Sequence, residues 1–179
     1  MLIGVSIFAL CLLSLLILIA IHEFGHWVAG IGVGVPPHAM RIRLFTWPPH
    51  VALRDNESWV SPWDYTRYVS LSCLYLKYRS QAIVYVSAGL LMQTIIFAGA
   101  ILALAALEES RLYLVPVTIA VLGMLLSYLI LDLSLTRRYG RPSGDYSSLW
   151  AISPIWAILV TVFVILAHIG LLIYLCKSA

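Results

Sequence analysis

The stretch LIGVSIFALCLLSLLILIAIHEFGHWVA, residues 2–29, decides the fold. Residues 2–21 contain no charge and no proline. At 1.5 Å per residue, such a run is long enough to cross the roughly 30 Å hydrocarbon layer of a bilayer as a helix. Where the apolar run ends stands His22-Glu23-Phe24-Gly25-His26. On a helix, two histidines four residues apart share one face, with the carboxylate between them in the same turn. One turn can therefore supply two zinc ligands and a general base. Ionisable groups at membrane depth are costly, so their clustering marks a functional site. The combination implies a zinc-dependent hydrolase working inside a membrane, with His22 and His26 on the metal and Glu23 as the base.

The rest of the chain agrees with a membrane setting. Of its 179 residues, 62% are hydrophobic and 11% charged, and the mean hydropathy is +0.97, which excludes an ordinary soluble domain. Four stretches reach membrane length, at about 2–28, 82–106, 112–135 and 152–175. The expected fold is an all-α integral membrane protein of about four transmembrane helices forming one domain over residues 1–179. The first stretch lacks the basic start of a cleavable signal peptide and carries the histidines. Ser153-Pro154 reads as a cap and first-turn proline near the start of the fourth. Cys11, Cys73 and Cys176 match no metal or redox spacing. No disulfide is expected from them.

The net charge of +3 belongs to membrane topology and does not point to nucleic acid. Arg41, Arg43, Arg54, Arg67, Lys77 and Arg79 lie between the first two spans, and Arg137, Arg138 and Arg141 follow the third. Arg111 and Lys177 stand at the opposite end. The positive-inside rule therefore places both basic loops in the cytoplasm and both termini outside. His22 and His26 would then lie roughly 5–10 Å from the cytoplasmic end of the first span, a depth that water can reach.

An open zinc site needs a third protein ligand. Glu108 and Glu109 fall at the outer turn, and His168 lies too far along the fourth span and reads as a helix-packing residue. Asp145 and Asp132 remain, with Glu57, His38 and His50 of the first loop as outsiders. Asp145 belongs to Arg141-Pro142-Ser143-Gly144-Asp145-Tyr146, an irregular stretch in which Gly144 offers freedom to fold back. The first loop itself suggests a short cytoplasmic-side β-hairpin, with alternation over 38–46, a return over 51–54 and a turn at Asp55-Asn56-Glu57. An exposed strand edge there could pair with an extended substrate. Ser61-Pro62-Trp63-Asp64 then reads as the start of an aromatic, basic interfacial helix lying on the bilayer.

At this point the residues resemble a family. His22-Glu23-Phe24-Gly25-His26-Trp27-Val28-Ala29 resembles the zinc-ligand helix of the site-2 protease family of intramembrane metalloproteases. Ser87-Ala88-Gly89-Leu90-Leu91-Met92-Gln93 is similar to that family's AGPxxN helix. Asp132-Leu133-Ser134-Leu135, followed by Ser143-Gly144-Asp145-Tyr146, stands where the family has NxxP and then Asp-Gly. The likeness spans residues 10–150. Leu90 replaces the proline, Gln93 and Asp132 replace asparagines, and Tyr146 replaces the glycine after the ligand.

The resemblance implies one Zn2+ per chain on His22, His26 and Asp145, with Glu23 as catalytic base. It also implies a substrate contact from the Gln93 amide. The expected activity is hydrolysis of a peptide bond in or near the transmembrane segment of a membrane-protein substrate. The expected location is a bacterial or archaeal cell membrane. The loops are too short for an inserted peptide-binding domain, so the chain reads as a minimal core. Two other classes remain: a membrane-surface metalloprotease with a different third ligand, and a non-catalytic scaffold stabilised by zinc.

Overall fold

The computed structural model describes residues 2–107 and 111–177. Glu108 and Glu109, expected at the outer turn, lie outside the described residues. Four long helices dominate: α1 (Leu2–Gly32), α3 (Arg79–Ala105), α4 (Arg111–Tyr139) and α6 (Pro154–Lys177). Each is long and apolar enough to cross a membrane, with mean hydropathy between 2.1 and 2.9 in its best window. The protein is thus a helical membrane protein, as the hydropathy pattern requires. The expected boundaries hold to within about four residues.

Among the described residues there are also two shorter α-helices, α2 (Tyr65–Tyr75) and α5 (Asp145–Ile152). The α5 helix was not expected. The sequence reads there as an irregular lead-in, because eight residues are too few to show a helical period. A break at Ser153, with Pro154 opening α6, separates it from the last span. The proline brings no N–H, so nothing is lost at a helix start.

Close approach between the helices depends on small residues rather than on expulsion of water, since lipid is as apolar as leucine. A Cβ at Gly25 would stand 2.7 Å from the carbonyl oxygen of Ala88, so glycine is what allows α1 to lie against α3. Leu90, Leu149, Val164 and Leu175 have no exposure and form the centre between α3, α5 and α6. His168 is fully buried on α6, its ring stacked on Phe97 at 5.3 Å and its Nδ1–H donated to the Val164 carbonyl at 2.8 Å. It is the packing histidine that its position suggested.

Between α1 and α3 the chain builds three strands rather than a hairpin: β1 (Met40–Arg43), β2 (His50–Asp55) and β3 (Ser58–Val60). They pair antiparallel in the order β1-β2-β3, with Ile42 opposite Val51 and Arg54 opposite Trp59. The expected turn at 55–57 is present, with Asn56 at φ 52, but the three residues after it were too short a run to read as a strand. The α2 helix also begins later than a Ser61 cap implies. Ser61 instead closes a tight turn, its carbonyl accepting from Asp64 N–H at 3.0 Å, and the helix starts at Tyr65.

The two basic loops meet at one end of the bundle. Arg141 donates to the Trp63 carbonyl at 3.2 Å, and Arg79 donates to the Ile152 carbonyl at 2.8 Å. Both loops are therefore on the same side, as the charge pattern demands.

Candidate metal centre

His22 and His26 lie on one face of α1, near the loop end, with ring centroids 4.8 Å apart. Each ring is oriented through its Nδ1. His26 donates Nδ1–H to the backbone carbonyl of Tyr85 at 2.9 Å, and His22 donates to Gln93 Oε1 at 3.0 Å. Both partners are on α3. With the proton held at Nδ1, a neutral imidazole presents a bare lone pair at Nε2. The two Nε2 atoms nevertheless stand only 3.1 Å apart.

Asp145, the first residue of α5, closes the group. Its Oδ2 lies 2.7 Å from His22 Nε2 and 3.3 Å from His26 Nε2. This oxygen is buried, and the two ring nitrogens are its close polar neighbours. Burial raises the Asp145 carboxyl, but protonated imidazoles at His26 and His22 outweigh it and hold the group well below the usual carboxylate range when no metal is bound. A charged oxygen therefore faces the rings. Three lone-pair atoms converging at 2.7–3.3 Å repel one another unless a proton or a metal ion sits among them. Ligands about 2.0–2.1 Å from a tetrahedral zinc are separated by about 3.3 Å, close to these spacings. The donor set fits a divalent metal with one position left open.

Room beside the two rings comes from α3. A Cβ at Gly89 would approach His26 Nε2 to 2.5 Å and His22 Nε2 to 2.7 Å, so any other residue would crowd both imidazole nitrogens. Gly89 was visible in the sequence as part of Ser87-Ala88-Gly89, but its task depends on which helix faces it.

Glu23 is 7% exposed and lies within electrostatic range of both imidazoles and Asp145. Among the described residues its carboxylate makes no hydrogen bond. Gln93, expected as a substrate contact, is 3% exposed, and its amide oxygen accepts from His22.

Asp132 does not join the group either. Both of its oxygens face the start of α5, accepting Ser147 N–H at 2.9 Å and the Ser147 hydroxyl at 2.5 Å. His38 and Glu57 are exposed on the sheet side, and His50 donates Nδ1–H to the Pro48 carbonyl at 2.9 Å. None of the three belongs to the metal group. Tyr146 stands where the resembled family has glycine. It is 4% exposed and packs on Tyr128 at 5.6 Å, so a large residue is accommodated without moving Asp145.

Gly144 serves a different purpose from the one its position suggests. Its backbone is extended, at φ −156 and ψ −169, a conformation open to any residue. A Cβ there would stand 2.7 Å from Asp132 Cγ and 2.9 Å from the Tyr128 hydroxyl. Space is the constraint at this position, not torsion.

No family model matches the sequence, and neither a curated protein nor a solved structure is found to be similar to it.

Proposed function

We propose that this protein is an intramembrane zinc metalloprotease of the site-2 protease type. The observation that carries the proposal is the meeting of His22 Nε2, His26 Nε2 and Asp145 Oδ2 beside the buried Glu23. A metal held only for structure has no need of an unpaired carboxylate at its side; a hydrolase does.

Zinc bound by the three ligands would supply Lewis acidity, lowering the pKa of water and polarising a peptide carbonyl. The chain's own groups do the rest. Glu23 takes a proton from the attacking water and returns it to the leaving amine. Gln93 and the Tyr85 carbonyl hold both imidazoles in the tautomer that leaves Nε2 free. A helical substrate hides its carbonyls in its own hydrogen bonds, so the peptide must present an extended segment at the site. The free edges of the sheet beside α1 are suited to pairing with such a segment.

By the distribution of Lys and Arg, the site opens toward the cytoplasm and the termini lie outside. An impermeant thiol reagent should then label the exposed Cys73 from the cytoplasmic side alone.

The test of activity compares wild type with Glu23→Gln on a panel of single-span membrane proteins, with cleavage sites read by mass spectrometry. The variant keeps size and metal ligands, and it should cut roughly 10²–10⁴-fold more slowly while retaining zinc. Equal rates would sink the mechanism. If neither protein cuts while zinc stays bound, a zinc-stabilised scaffold replaces the protease.

A further inference from the structure

The α5 helix begins with a problem that its own sequence does not solve. A helix leaves its first N–H groups without internal partners, and the usual remedy is a Ser, Thr, Asp or Asn side chain at the capping position. Here that position is Gly144, which has no side chain, and Asp145 is the first helical residue. Partners arrive from α4 instead. The Asp145 N–H donates to the Tyr128 hydroxyl at 3.0 Å, and the Ser147 N–H donates to Asp132 Oδ2 at 2.9 Å. Tyr128 and Asp132 are four residues apart, and so occupy one face of α4.

The Asp132 side chain gathers further bonds. The Ser147 hydroxyl donates to its Oδ1 at 2.5 Å while accepting the N–H groups of Ser143 at 3.0 Å and Gly144 at 3.2 Å. Thr136 adds a bond to the same oxygen at 3.2 Å. Asp132 is 2% exposed, and a carboxylate so placed also complements the positive end of the α5 dipole. Three hydrogen bonds thus join the start of α5 to α4, and two of them end on this carboxylate. Two residues from Ser147, Asp145 Oδ2 faces the two imidazoles.

We propose that Asp132 is the positioning residue of the metal centre: it caps α5 from outside the helix and thereby holds the Asp145 carboxylate at ligand distance from His22 and His26. It touches neither substrate nor metal. The proposal rests on the metal-site reading above. It makes α4, which contributes no ligand, the element that sets affinity.

The test is zinc affinity of the detergent-solubilised full chain, stripped of metal and titrated with zinc against a chromophoric chelator. Asp132→Ala should weaken binding by roughly 10–100-fold, the usual cost of losing an outer partner of a metal ligand. Asp132→Asn keeps an acceptor for the Ser147 N–H and should recover much of that loss. Ser147→Ala removes the hydroxyl link from the other side and leaves the α4 carboxylate in place. Because both act through one contact, Asp132→Ala with Ser147→Ala should cost less than the sum of the single changes. Circular dichroism and thermal melting of the metal-free proteins separate this effect from loss of fold. Should Asp132→Ala fail to fold, Ser147→Ala carries the test. Unchanged affinity in folded Asp132→Ala, or in Ser147→Ala, would overturn the proposal, as would strict additivity of the pair. Failure of wild type itself to bind zinc would instead overturn the metal site.

Discussion

α1 brings two ligands to the centre from within a helix of 31 residues, whereas α5 brings one at the first residue of a helix of eight. The α1 ligands are held by local geometry. His22 and His26 lie inside a continuous hydrogen-bonded ladder, and their separation follows from the 3.6-residue turn. The α5 ligand has no such support. A helix of eight residues is unstable alone, and its first turn is where backbone donors lack partners. Its position comes from contacts on α4 and, at the other end, from Arg79 on the Ile152 carbonyl. A metal centre can therefore combine a ligand pair that the chain supplies locally with a third ligand that only packing delivers.

Removing the local pair should have the largest effect on that contrast. His22→Ala combined with His26→Ala should take purified protein from about one zinc per chain to nearly none by metal analysis. Full zinc in the double variant would mean that the ligands lie elsewhere, and the comparison of α1 with α5 would lose its basis.

Gly89→Ala comes next, because it touches no ligand covalently yet places a methyl group against both imidazole Nε2 atoms. Its loss of zinc affinity should exceed the roughly 10–100-fold expected for an outer partner. An unchanged affinity would show that α3 can draw back from α1, so that the gap is not set by the glycine.

The smallest effect is expected at Gln93→Leu, which frees His22 Nδ1 but leaves His26 fixed by the Tyr85 carbonyl. Affinity should fall about 10-fold, at the low end for an outer partner. A drop matching that of Asp132→Ala would sharpen the comparison differently: the α1 ligands would then depend on tertiary support as much as Asp145 does.

Much of the site was legible beforehand because its signals are local. The His22-Glu23-Phe24-Gly25-His26 run carries its geometry in its spacing, and the four spans follow from hydropathy. Asp145 was legible as one of two candidate carboxylates after the third span, singled out by the resemblance. The supporting residues were not. The bond from His22 to Gln93 is not legible, because an amide on α3 has no spacing that reveals which atom it meets. Asp132 stood beside Asp145 as a rival ligand, since two carboxylates near one helix end look alike until α5 is seen between them. The third strand and the eight-residue helix were missed because each is too short to show a period.

The sequence by itself determined the membrane architecture, the gathering of the two basic loops at one end, and the pair of imidazoles flanking a carboxylate. These depend on residues close together in the chain or on summed hydropathy over twenty positions. Tertiary structure alone decided how the two imidazoles are oriented, where room for an ion is left at Gly89, and which of two aspartates faces the histidines. Each of those outcomes depends on an atom from one helix meeting an atom of another, such as Asp132 Oδ2 and the Ser147 N–H, and no periodicity along a single chain encodes that meeting.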